Sequence, residues 1–176
     1  MTLRRGITLG VALLTATGLI QPQLAWLVFA EPAATERKKT SETTVELEGF
    51  TVDVTLSEKA RRKLLDGKEA IIVAAYFTGR PKPDTDKKYI SDMGEIGLGQ
   101  ALVEVAPDQS ARFDTVRLSQ YALDQSLNRN PILLVNVYSG RKSSKNNLLS
   151  CGIYEDDLKP IQGKSIPIAC KLIGEQ

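Results

Sequence analysis

The side chains able to do chemistry in this chain are few, and its two cysteines come first. Cys151 and Cys170 are the only cysteines in 176 residues, and there is no histidine. Two thiols without histidine cannot complete an ordinary zinc site unless carboxylates join them. No Cys-x-x-Cys spacing is present, so a thioredoxin-type redox motif is absent. A Cys–His nucleophile has no base. A structural disulfide is the reading that remains. The lack of histidine also excludes Ser-His-Asp hydrolysis, histidine-ligated copper, haem or zinc, and histidine proton relays.

The surroundings of the pair favour a bridge. In an extended strand Leu149, Cys151 and Ile153 share one face, as do Ile166, Ile168, Cys170 and Leu172. An antiparallel register that opposes Cys151 to Cys170 also opposes Leu149 to Leu172 and Ile153 to Ile168. A one-residue slip would break all of these pairs. Opposed Cα atoms in such a ladder lie about 4.5–5.5 Å apart, within disulfide reach. Closing a loop of about 20 residues should stabilise the fold by roughly 3 kcal/mol. Pro167 points away from the cysteine face and cannot donate to a ladder, so this strand is expected at an edge.

Substitutes for histidine are weak. Ser139 and Lys142 fit the Ser-x-x-Lys acylation motif, but its companion elements are missing and the chain is short for that fold. The segment reads as a polar turn after a strand. Asp84 and Asp86, or Glu155, Asp156 and Asp157, are pairs of the kind used by glycosidases or calcium sites. Lys82, Lys87 and Lys88 compensate the first pair. The second lacks the spacing of a calcium loop, and Asp156 or Asp157 is expected to cap the turn into Leu158. No catalytic, metal-binding or cofactor-binding residue is therefore assigned, and the chain leans away from being an enzyme.

Basic clusters remain at Arg61-Arg62-Lys63, at Arg80, Lys82, Lys87 and Lys88, and at Arg141, Lys142 and Lys145. If the two loop clusters meet at one end of the fold, they would suit an anionic glycan, phosphate or an acidic protein. Tyr89, Tyr138 and Tyr154 could add stacking surface.

The N-terminus suggests where this takes place. Arg4 and Arg5 precede an apolar run from Ile7 to Ile20, which resumes at Leu24 and ends at Val28-Phe29-Ala30. That is a secretory signal layout, with cleavage expected after Ala30. An uncleaved anchor would place Gln21-Pro22-Gln23 near mid-membrane, at a cost. The chain has 23 Lys+Arg against 21 Asp+Glu, and the first thirty residues hold two of the cations and no acid. A mature chain of zero net charge offers no global field to nucleic acid or to a membrane surface.

Residues 31–42 are polar and aperiodic, and read as a flexible linker. From residue 43 to 176, period-two alternation dominates. Val45 and Leu47 have one parity, and Phe50, Val52, Val54 and Leu56 the other, a slip at Gly49 that suggests a β-bulge. Ser57 should cap a short helix bearing Ala60, Leu64 and Leu65. Residues 69–78 are nearly all apolar, as a central strand buried on both faces would be. Gly97 and Gly99 mark an edge, kink or close neighbour. Ala111, Phe113 and Thr115 give the next strand's core parity, Ser119 caps a second short helix, and residues 130–140 form the strongest strand.

Six to eight strands, two helical crossings and no βαβ rhythm point to a mainly β fold. The specific expectation is a single antiparallel β-sandwich of immunoglobulin-like or transthyretin-like type. An up-and-down barrel or an α+β layer is the alternative. The plan resembles small exported sandwiches such as transthyretin-like domains and secretion-pilot proteins, a resemblance that carries no functional residue and implies no activity. The functional expectation is a periplasmic or secreted, non-catalytic binding module. Its partner would be an envelope protein or anionic glycan, held by loops 79–92 and 140–147 or by an edge strand. The rivals are a small histidine-free enzyme using loop carboxylates or lysine, and an envelope accessory protein kept on its N-terminal anchor.

Overall fold

The computed structural model describes residues 43–175. The expected signal and linker (residues 1–42) lie outside the described residues. Within them the chain is mainly β, with two four-stranded, mostly antiparallel sheets. One sheet has the order β4 (Ala111–Ser119), β1 (Thr44–Leu56), β8 (Ser165–Leu172), β6 (Leu149–Cys151), and the other β3 (Ile96–Val105), β2 (Ile71–Gly79), β5 (Ile132–Ser139), β7 (Tyr154–Asp157). Apolar residues from both sheets form one core, in which Phe50 stacks on Phe113 at 4.7 Å and meets Phe77 edge-on at 6.5 Å.

β1 (Thr44–Leu56) is the long strand that the alternation predicts. It pairs antiparallel with β4 (Ala111–Ser119) in one unbroken register, so there is no bulge at Gly49. Instead both strands change core parity at the same level. Val45 and Leu47 lie opposite Leu118 and Val116, and beyond the switch Phe50 and Val52 lie opposite Phe113 and Ala111. Thr115 is consequently exposed, and Val116 and Leu118 are buried in its place. Because the slip is shared, no residue is left over. Gly49 is required there, since a Cβ would fall 1.5 Å from the Phe113 carbonyl oxygen.

Ser57 caps α1 (Glu58–Asp66) by accepting from the Ala60 amide at 3.1 Å. Ala60 and Leu64 are fully buried, whereas Leu65 turns outward. β2 (Ile71–Gly79) then runs through the middle of its sheet, between β3 (Ile96–Val105) and β5 (Ile132–Ser139). Gly97 and Gly99 lie on edge strand β3, opposite the register shift between Phe77 and Thr78. Ser119 caps α2 (Gln120–Gln125).

β6 (Leu149–Cys151) is antiparallel to β8 (Ser165–Leu172), with Leu149 opposite Leu172 and Cys151 opposite Cys170. The expected Ile153–Ile168 pair does not form. After the rung from Gly152 N–H to the Ala169 carbonyl, the chain leaves this sheet, and Ile153 is 71 % exposed. It enters the other sheet as β7 (Tyr154–Asp157), beside β5.

β8 returns between β1 and β6, parallel to β1, where an all-antiparallel sheet was expected. It is thus interior to its sheet rather than at the edge. Yet β6 reaches only its last residues, so Pro167 has a strand on one side alone. The Lys164 carbonyl accepts from Thr51 of β1, and the Cys170 carbonyl from the Ser57 amide just beyond its end. Alternate residues of a parallel strand face alternate neighbours, which turns the Pro167 nitrogen to the vacant side, where no donor is needed.

Candidate functional site

The disulfide is formed between the expected residues, with Cα atoms 4.0 Å apart. Ladder bonds at Gly152–Ala169 and from Ile173 N–H to the Leu148 carbonyl leave the cysteines in a non-hydrogen-bonded pair, where opposed side chains are closest. Such a bond fits an oxidising, exported location. No helix among the described residues is long and apolar enough to cross a membrane.

The basic residues fall into two groups that the fold does not bring together. Loop 79–92 leaves the C-terminal end of β2, where Thr78 faces Ile132. Loop 140–147 leaves β5 at the other end, where Ile71 faces Ser139. Seven residue steps of about 3.4 Å separate them, roughly 24 Å. Several cations are also already engaged. The Lys82 ammonium donates to the Asp124 carbonyl, tying its loop to α2, and Lys88 pairs with Asp86 at 3.0 Å while lying over the Tyr89 ring. Lys142 pairs with Glu104. Arg80, Lys87, Arg141 and Lys145 are exposed.

Loop 140–147 is held by a buried carboxylate. Glu69 accepts from the amides of Ala70, Lys142 and Ser143 and from the Ser143 hydroxyl, at 2.7–3.1 Å. Burial alone would raise its pKa, but these four donors outweigh it and hold the group at about 2. Ser139 and Lys142 do not act together. The Ser139 hydroxyl is buried against Asn147 and Leu148, and the Lys142 ammonium is on Glu104. Among the described residues, no three acidic or thiol groups converge as a metal site would require. Asp86 caps a short turn at Lys87–Tyr89, and Glu155, Asp156 and Asp157 lie exposed along β7.

The feature that the described core leaves uncovered is the outer face of the β2 sheet. Residues of one parity align across its strands in rows: Glu104, Ile72 and Tyr138; Leu102, Ala74 and Asn136; Gln100, Tyr76, Leu134 and Glu155; Thr78, Ile132 and Asp157. Apart from Ala74 none of these is buried, and none of the larger apolar ones packs against the core cluster. Ile72, Tyr76, Ile132, Leu134 and Tyr138 are half-buried, and Leu102 is 54 % exposed. β2 is therefore central as expected, but buried on one face only, because no layer among the described residues covers the other. Ala74 reaches full burial merely by being small among larger neighbours. Loop 140–147 borders this face, since Lys142 reaches Glu104 on its first row.

Comparison of the chain with protein-family models, with curated proteins and with solved structures returns no match.

Proposed function

We propose that the chain is an exported, non-catalytic β-sandwich binding module that holds a protein partner on the outer face of the β2 sheet. The observation that carries this reading is the contiguous apolar surface of Ile72, Tyr76, Leu102, Ile132, Leu134 and Tyr138, which no part of the described fold covers. Exposed apolar patches of this kind mark interaction sites. The bonded cysteines and the signal-like N-terminus support export.

Size and charge specify the partner. Three strands about 24 Å long and the shorter β7, all about 4.8 Å apart, present roughly 400 Å², about half of the ~800 Å² per side in a standard interface. The rest must come from the rim. There Glu155 and Asp157 are exposed on edge strand β7 and form no ion pair among the described residues. A protein with an apolar patch flanked by Lys or Arg complements both features. A second copy fits less well along its β3 edge, which offers Gln100 and Glu104 rather than cations.

A photo-crosslinker placed at position 134 in intact cells identifies the partner, and purified components then test it. Leu134→Glu should weaken binding by about tenfold or more, as should Glu155→Lys with Asp157→Lys. Arg117→Glu, on the other sheet, should leave it unchanged. Retained affinity in Leu134→Glu overturns the assignment, and capture of the chain itself overturns the choice of partner.

A further inference from the structure

A second site lies where the two sheets part. β8 begins alongside Thr51, midway along β1, so β1's first residues have β4 on one side and, among the described residues, no strand on the other. A groove of about 310 Å³ occupies this gap. Leu123 and Leu158 form its buried floor, with half-buried Val45 and Leu47 on one wall. Roughly 150 Å³ of dry apolar cavity holds a benzene ring, so this volume admits a chain of about eight to ten carbons.

The mouth has one sign of charge. Arg129 and Lys159 line it, and no acidic side chain does. Asp124 pairs with Arg129 from outside the lining, whereas Lys159 forms no ion pair among the described residues. The backbone carrying Arg129 is costly. Asn128 and Arg129 adopt φ of 56° and 51° in succession, a left-handed stretch that non-glycine residues rarely sustain. The Leu127 amide on the Arg80 carbonyl at 2.7 Å and the Arg129 amide on the Ser126 carbonyl at 3.1 Å hold it there. Such strain gathers at ligand clamps.

We propose that this groove binds a medium-chain alkyl carboxylate. The chain would lie on Leu47, Leu123 and Leu158, and the carboxylate would be met by Lys159 and Arg129. None of the lining residues belongs to the outer face of the β2 sheet, so this site is independent of partner capture there.

Decanoate is the probe, titrated below its micelle concentration into the full disulfide-bonded chain and followed by calorimetry and amide chemical shifts. One saturable site is expected, with shifts centred on Leu47 and Leu158. Decanol should bind about tenfold more weakly, and Lys159→Gln, an exposed change that spares the core, should cost decanoate about tenfold. Leu47→Ser should weaken both ligands alike. The proposal is overturned if no saturable binding occurs at these residues. It is equally overturned if decanol matches decanoate, or if Lys159→Gln retains full affinity.

Discussion

The outer faces of the two sheets differ in kind. On the β1 sheet Glu46, Glu48, Asp53, Arg112, Asp114, Arg117, Ser165 and Lys171 face solvent, and several satisfy one another. Arg117 reaches Glu46 at 2.8 Å directly across the ladder, and Asp53 accepts from Ser110 and Ser165. On the β2 sheet the equivalent surface is aliphatic and aromatic. A folding core needs only one apolar face from each sheet. The β1 sheet meets that requirement and stops, while the β2 sheet carries a second apolar face that the described core does not use. That surplus is what a binding surface would require.

The sharpest way to break this comparison is to cut the same strand on both sides. Leu133 is fully buried on the inner face of β5, and its neighbour Leu134 points outward. Leu133→Ala should cost about 3 kcal/mol in urea unfolding, within the range for buried Leu→Ala changes. Leu134→Ala should cost under about 1 kcal/mol, because its surroundings are half solvent already. Equal costs would mean that the outer face is part of the folding core, and the surplus would disappear.

Acid provides the next test, on the clamp beside that face. Glu69 titrates near 2 when folded against an ordinary value of 4.5. The unfolded chain therefore takes up the proton first as pH falls. The stabilisation is nearly complete above about pH 4.5 and is lost progressively towards pH 2, amounting to about 3 kcal/mol. Glu69→Gln should remove most of this pH dependence and lower stability at pH 7. Amide exchange at Lys142 and Ser143 should rise while the strands of the β1 sheet stay protected. An unchanged acid limb in Glu69→Gln would show that the loop is held by other contacts.

The contrast between faces was half legible in the sequence. The alternation of residues 44–56 and 165–172 declares a strand with one wet side, and both strands have one. The runs at 71–77 and 132–138 declare strands apolar on both sides, which reads as burial on both sides. Burial needs a covering layer, and two short helices cannot supply one, so that count was the available signal. Local features were readable because local chemistry sets them: the Ser57 and Ser119 caps, the Gly97–Gly99 irregularity, and Cys151 opposite Cys170. What escaped depends on distant parts of the chain. The parallel insertion of β8 beside β1, the departure of Ile153 to the other sheet and the placing of the two basic loops at opposite ends all follow from strand order. The parity switch in β4 is of the same kind, since it answers Gly49 across the ladder. The groove at Leu158 arises where β8 starts late, a property of no single segment.

The smallest expected effect belongs to the polar face, and it completes the comparison. Arg117 and Glu46 are directly opposed, but their side chains are 66 % and 59 % exposed. Exposed pairs gain little, because water screens the attraction and two long side chains lose freedom on meeting. Arg117→Ala should therefore change stability by no more than about 0.5 kcal/mol. The double change with Glu46→Ala should recover part of even that, because Glu46 alone retains the unneutralised charge. Neither variant should alter capture of the partner crosslinked from position 134. A loss of capture with stability intact would place the binding surface on the β1 sheet. The apolar face would then need another explanation, and the contrast drawn between the two sheets would be reversed.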